Sequence, residues 1–413
     1  MIYERSQAQV LRKRLNEYPS FIIILSGPRQ VGKSTMVRQV LRDRPNQFTS
    51  VDNPIEQHDF NEEITTQSIS GYQPTAEWLV NQWTKARNLA KGMSDDMPFV
   101  LVIDEIQKIK NWSEIVKGLW DADRSTNLKM HVVLLGSSPL LMQQGLSESL
   151  AGRYELIKMT HWSYSEMQDA FNFSLDEYIF FGGYPGCSHL IHEADNRWHT
   201  YIRSSLIKPN IEKDILQMTR IDKPALLKAM FELGCMYSGQ IISYRKLQGQ
   251  LEDAGNATTL AHYLELLSQA GLLTGIPKYA GQIHRQRAST PKLIALNSGL
   301  MSALFNYTFS EAKADRSHWG RVVESVIGAH LYNSASDSCQ IYYWLDSNHE
   351  VDFIIANNKK IVAIEVKSNT NYSQPKGLKE FIKQFKNSTS LIVGDGGISI
   401  AEFLLKPASH WID

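Results

Sequence analysis

The run FIIILSGPRQVGKSTMVRQVL, residues 21–41, constrains this chain more than any other stretch. Apolar residues Phe21–Leu25 read as a buried strand that ends at Ser26. Gly27, Gly32, Lys33 and Ser34 then fit the spacing GxxxxGK followed by Ser or Thr, and Met36, Val37, Val40 and Leu41 recur as on one face of a helix. Strand, glycine loop and helix start is the order that a phosphate-binding loop needs. Glycines let backbone N–H groups close around phosphate oxygens, and the helix N-terminus adds its partial positive charge. The whole loop, Gly27, Pro28, Arg29, Gln30, Val31, Gly32, Lys33, Ser34 and Thr35, is therefore the expected cradle. Lys33 would reach the β- and γ-phosphates of ATP, and Ser34 would hold Mg2+.

A second apolar run, Phe99–Ile103, ends in Asp104 and Glu105. Carboxylates at a strand's C-terminal end stand beside a nucleotide bound by the upstream loop. Asp104 is expected to hold Mg2+ through water, and Glu105 to orient or deprotonate the attacking water. A third run, His131–Leu135, leads into Ser137 and Ser138, hydroxyls placed to sense the γ-phosphate or to cap the next helix. Arg153, in SLAGRYELI, is either a guanidinium for the triphosphate, in its own subunit or across an oligomer, or one half of an ordinary salt bridge.

The chain has 413 residues, which at roughly 100–200 residues per domain calls for two or three domains. Forty-three basic residues balance forty-three acidic ones, so no global positive field advertises nucleic acid, and only a local patch could serve. Cys187, Cys235 and Cys339 are isolated, which signals neither a zinc site nor a disulfide framework. No apolar run approaches the about 18–20 residues that span a bilayer, and the N-terminal MIYERSQAQVLRKRL lacks a signal-peptide core. A soluble, cytoplasmic protein is the expectation.

GPRQVGKST, VLVIDEIQK, LLGSSPLLM, SLAGRYELIKM and FGGYPG together resemble the AAA+ ATPases that carry an uncharacterised C-terminal region, the AAA-14 and domain-of-unknown-function 4143 type. The resemblance covers essentially the whole chain. It implies a P-loop α/β domain, a helical region and a C-terminal α/β module. With the element order along the chain, the expected multidomain α/β architecture is a P-loop AAA+ core at 1–160, a helical lid at 161–222, a winged-helix-like module at 223–302 and a restriction-endonuclease-like α/β domain at 303–413. The resemblance also implies ATP binding. One departure is Asn297 in PKLIALNSGL, where the family usually has Asp.

Residues 162–214 are rich in aromatics, and FGGYPG at 181–186 should break a helix, with Phe181 and Tyr184 anchoring the packing. Apolar spacing through Tyr201–Ile215 is helical, with Pro209 expected to bend or end the helix. Residues 224–300 read as three helices and two strands, Leu272–Ile276 and Pro291–Ala295, in the order of a winged helix. Six basic against three acidic residues over 239–300, with Arg285 and Arg287 on the presumed wing, leave two readings: DNA contact, or a protein partner.

Near the C-terminus, GRVVESVIGAHLYNS is a helix with Glu324 in its first turns. EVDFIIA and KIVAIEVKS read as strands joined by a short turn, bringing Asp352 beside Glu365, with Lys367 on the same face as Glu365. The pattern Glu324, Asp352, Glu365-Val366-Lys367 resembles the restriction-endonuclease-like fold. That resemblance makes Glu324, Asp352 and Glu365 metal ligands, and Asp352, Glu365 and Lys367 catalytic groups for phosphodiester cleavage. Three functions stay open at this stage: an ATPase coupled to DNA or protein contacts, an ATP-regulated Mg2+ nuclease, and a non-catalytic adaptor. An oligomer is compatible with each.

Overall fold

Why the first half folds as it does follows from its three central strands, which are apolar on both faces and so must be covered on both. The computed structural model describes residues 3–52, 75–93, 97–137, 142, 149–193, 195–215, 221–253, 255–280, 290–367 and 376–412. The chain divides into two compact units, Met1–Met159 and Thr160–Asp413.

In the first unit five parallel strands form one sheet: β1 (Ile22–Ser26), β2 (Asn46–Ser50), β3 (Phe99–Asp104), β4 (Met130–Gly136) and β5 (Tyr154–Lys158), in the order β2-β3-β4-β1-β5. Alternation sends Ile22, Ile24, Leu101, Ile103, Val132 and Leu134 to one face, against Leu79 and Trp83 of α3 (Ala76–Ala90) and Trp112 and Val116 of α4 (Trp112–Ser125). The other face, with Ile23, Leu25, Val100, Val102, Val133 and Leu135, packs on Leu11 and Leu15 of α1 (Gln7–Leu15) and Met36 and Val37 of α2 (Lys33–Val40). Helices on both faces are what parallel crossovers produce, and they explain the unbroken apolar runs of β1, β3 and β4.

The second unit opens with helices Tyr164–Phe171 and Leu175–Phe181, each started by a Ser–Glu capping box. The second ends as FGGYPG predicts: Gly182, at φ +70°, turns the chain, and a Cβ there would sit 2.0 Å from Asn297 Oδ1. Phe181 and Tyr184 are buried, as expected of packing anchors. Pro209 does not end its helix. The chain stays helical from Arg197 to Ile215, widening to π-helical turns over Ile202–Ile207 and Asn210–Ile215 on either side of the proline.

Three helices follow, α5 (Pro224–Met236), α6 (Tyr244–Gln248) and α7 (Ala257–Gln269). Then come antiparallel β6 (Leu273–Ile276) and β7 (Lys292–Ala295), within a residue of the sequence expectation. Residues 281–289, and with them Arg285 and Arg287, lie outside the described residues.

A long helix, α8 (Arg316–Ser334), precedes a four-stranded sheet of β8 (Gln340–Asp346), β9 (His349–Ala356), β10 (Ile361–Lys367) and β11 (Ser388–Gly394), ordered β11-β10-β9-β8. β9 and β10 form the anticipated antiparallel hairpin, with Ile361 opposite Ala356 and Ile364 opposite Phe353. The turn is closed by Asn357 Oδ1, which accepts from the Lys359 and Lys360 N–H groups at 2.9 and 2.7 Å. β10 pairs in parallel with β11, reached through α9 (Lys376–Gln384), whose Leu378 and Phe381 pack with Tyr342, Trp344, Val351 and Ile354.

Candidate functional sites

The phosphate loop leaves β1 at Ser26 and closes at Gly32, whose φ of +86° caps α2 in a left-handed conformation. Lys33 is buried, and its Nζ donates to the carbonyls of Gly27 and Pro28 at 2.9 and 2.8 Å, folding back along the loop it belongs to. Ser34, one residue into the helix, donates its hydroxyl to Asp104 Oδ2 at 2.5 Å. Seventy residues apart in sequence, these two oxygens are neighbours because β1 and β3 end at the same sheet edge. A hydroxyl and a carboxylate are hard oxygen ligands, the donor set that suits Mg2+.

β4 lies between β1 and β3, with Gly136 level with Ser26, so Ser137 emerges beside the loop. Its hydroxyl donates to Glu105 Oε2 at 2.8 Å, and Gln107 Nε2 donates to the same oxygen at 2.6 Å. Glu105 itself has φ +57°, a left-handed conformation that costs a non-glycine residue on the order of 1–3 kcal/mol. Its N–H is held by Asp104 Oδ1 at 2.9 Å, and the turn throws its carboxylate off the strand line. Lys33, Ser34, Asp104, Glu105 and Ser137 are thus brought to one edge, as the sequence predicts; Ser138 lies outside the described residues.

In the second unit the carboxylates also gather, but in a different set. Among the described residues, Glu324, Glu350 and Asp352 offer oxygens that all lie within 4.8 Å of one another. Glu365 is not in that group, which corrects the expected trio of Glu324, Asp352 and Glu365. Asp352 Oδ2 accepts instead from the Val366 N–H at 2.8 Å, stitching β9 to β10. Glu365 Oε1 accepts from Lys367 at 2.7 Å, while its Oε2 is buried without a hydrogen-bond partner.

At the centre of the three carboxylates stands Lys292 of β7, fully buried. Its Nζ lies 2.5 Å from Glu324 Oε1, 3.1 Å from Glu350 Oε1, 3.6 Å from Asp352 Oδ1 and 3.3 Å from the Asp352 carbonyl. Burial pulls the Lys292 pKa down, but Glu324, Asp352 and Glu350 outweigh it and hold the pKa above its ordinary value. Burial also pushes Glu324 up to about 7, with Lys292 opposing and Asp352 adding. Glu365 rises to about 7 through burial and then Asp352, against the pull of Lys367.

The family model for an AAA domain matches residues 19–168, and models for two domains of unknown function, DUF8612 and DUF4143, match 172–311 and 319–402. The chain carries an AAA domain and, behind it, a DUF4143 region. An uncharacterised protein of Mycobacterium tuberculosis is similar at 24% identity over 96% of this chain and 81% of its own length. One from Methanocaldococcus jannaschii is similar at 23% identity over 69% of this chain and 66% of its own. A Walker-type ATPase of Pyrococcus abyssi has a TM-score of 0.46 at 15% identity, covering 74% of this chain and 96% of that one.

Arg153 stands apart from the residues gathered at the phosphate loop. It precedes β5, whose Tyr154 is level with Ile22 at the start of β1, so it stands at the sheet edge opposite the phosphate loop. There it makes a bidentate pair with Asp121 at 2.8 and 3.1 Å. The length of β1 separates it from the phosphate loop of its own subunit, and the ordinary salt bridge is the role that its contacts fit. Sequence reasoning missed Glu350 and Lys292. Both had a faint signal: Glu350 alternates with Asp352 along one face of β9, and Lys292 interrupts the otherwise apolar strand KLIA. Lys292 belongs to the DUF8612 stretch, while the acids it meets belong to the DUF4143 region.

Cys187, Cys235 and Cys339 are free and buried. Among the described residues, no helix is long and apolar enough to cross a membrane.

Proposed function

We propose that this protein is a Mg2+-dependent ATPase whose nucleotide state biases contacts made by residues 160–413. The observation that carries the reading is the Ser34–Asp104 contact at 2.5 Å, which joins the phosphate loop to the acidic strand end. The loop N–H groups and the start of α2 bind and orient the phosphates. Lys33 exchanges the Gly27 and Pro28 carbonyls for phosphate oxygens. Ser34 and Asp104 would hold Mg2+, which supplies charge neutralisation at the β- and γ-phosphates. Glu105 orients the attacking water and takes its proton, while Ser137 and Gln107 fix the carboxylate that must do so.

Two variants test this. Lys33→Ala should weaken ATP affinity by roughly 10–100-fold, the worth of a charge-assisted bond of about 1.5–3 kcal/mol. Glu105→Gln should leave ATP bound and slow turnover by about 10²–10⁴-fold. Unchanged affinity in the first, or wild-type turnover in the second, would refute the assignment.

For the partner, a protein is favoured over duplex DNA. The outward face of α7, the helix that a winged-helix reading places in a groove, presents Thr258, His262 and Glu265 and has no Lys or Arg. A carboxylate at that position repels phosphate. Duplex affinity that falls steeply with salt would reverse this preference.

A further inference from the structure

The restriction-endonuclease-like pattern implies a divalent metal among Glu324, Asp352 and Glu365, and the arrangement of this chain does not fit one. Mg2+ demands near-octahedral oxygen at about 2.0–2.1 Å. The point where carboxylate oxygens converge here is taken by the Lys292 ammonium, 2.5 Å from Glu324, 3.1 Å from Glu350 and 3.6 Å from Asp352. An ammonium has three protons to donate, and Glu324, Glu350 and the Asp352 carbonyl at 3.3 Å are three acceptors within bonding range. Of the acids in the expected trio, Asp352 Oδ2 is committed to the Val366 N–H and Glu365 Oε1 to Lys367, and Glu365 stands outside the group of three.

Nor is Lys292 a loose side chain that has fallen into an acidic hollow. Its backbone pairs with Ile276 of β6 on one side and with Ile241 on the other. The neighbouring Leu293 exchanges hydrogen bonds with Gln240 and Gly239 at 3.0 and 2.8 Å. Its ammonium lies 5.0 Å from the centre of the Phe353 ring, so the approach to the acids is apolar as well as fixed.

We propose that Lys292 is the resident cation of this cluster, occupying the position of a divalent metal so that Glu324, Glu350 and Asp352 are held together without one. The acids of the DUF4143 region are then an anchor for β7. The metal-dependent cleavage suggested by Asp352, Glu365 and Lys367 requires an arrangement in which Lys292 has left. This inference is independent of the ATPase reading.

The test is Mn2+ binding to the nucleotide-free full chain, followed by electron paramagnetic resonance of the free ion. Titrations of wild type and Glu324→Gln should superimpose. Lys292→Met, which keeps the apolar stem and removes the charge, should gain one Mn2+ equivalent bound at least about tenfold more tightly than any ion on wild type. Adding Asp352→Asn to Lys292→Met should abolish that gain. A wild-type site that Glu324→Gln removes would overturn the proposal, as would a folded Lys292→Met that binds no more Mn2+ than wild type. If Lys292→Met does not fold, the wild-type and Glu324→Gln pair still decides: coincident curves support a resident ammonium, and a lost site refutes it.

Discussion

Asn297 departs from the usual aspartate of its family, and its contacts show what an amide does there. Its Oδ1 accepts from the N–H groups of Gly183 and Gly299 at 3.3 and 3.0 Å, binding the FGGYPG turn to the start of the helix Ser298–Leu304. Its Nδ2 faces His161 Nδ1 at 3.2 Å, and His161 Nε2 faces the Gly271 carbonyl at 2.7 Å. A carbonyl can only accept, so Nε2 carries the proton and Nδ1 accepts from the amide. The position is a hydrogen-bonded junction rather than an ionic one. Asn297→Asp keeps the two backbone bonds but sets a carboxylate oxygen against the Nδ1 lone pair. The variant should lose on the order of 1–2 kcal/mol, the cost of a buried hydrogen bond replaced by two facing acceptors. Thermal melts of the two proteins check this; an unchanged midpoint would show that the junction does not depend on the amide donor.

At the scale of elements, legibility followed how local the cause was. β1, the loop and α2 could be read because three neighbouring patterns, an apolar run, glycines at fixed spacing and a helical period, all point to one unit. The β9–β10 hairpin was equally open, since Asn357 lies between two alternating strands. Of the two outcomes open for Pro209, bending or ending its helix, the second did not occur: its missing N–H is a local fact, while π-helical turns on either side let the helix continue. The acidic cluster was half legible. Alternation along β9 and β10 places Asp352 and Glu365, but no local rule brings a lysine from β7 sixty residues upstream. Within the hairpin the two lysine–acid pairs are unequal. Asp352→Ala leaves the Val366 N–H without its acceptor and strips a partner from a buried ammonium, so it should cost about 3–5 kcal/mol. Lys367→Ala removes a pair that is about one-third exposed at the lysine and should cost under about 1 kcal/mol. Urea unfolding of both variants measures the contrast; comparable losses would place the weight of the hairpin on Lys367 instead.

Across the whole molecule, β4 of the first unit and β9 of the second should answer acid differently. His131 at the start of β4 is buried, its Nε2 has no partner, and burial, then Arg44, pull its pKa down to about 4. An unfolded histidine titrates near 6.5, so between these values the unfolded chain binds more protons and stability rises with pH. The first unit therefore loses stability as pH falls from about 6.5 toward 4, by about 2 kcal/mol at pH 5. In the second unit, His330 is also pulled down to about 4 by burial and slopes the same way. Glu324 and Glu365, raised to about 7, slope the other way: the folded state binds more protons than the unfolded one between about 4.5 and 7, so their contribution is present at low pH and lost as pH rises. His199 and His318 are pulled down by burial as well, so three imidazoles oppose two carboxyls there, and it is the sheet beside Glu324 and Glu365, rather than the whole unit, that should hold on acidification. Amide exchange at pH 7 and pH 5, corrected for its intrinsic pH dependence, should show protection falling in β4 and persisting in β9. His131→Phe, which cannot take a proton, should flatten the response of β4 and leave β9 unchanged. Parallel loss in both strands, unmoved by the substitution, would mean that neither buried group sets the acid limit of its unit.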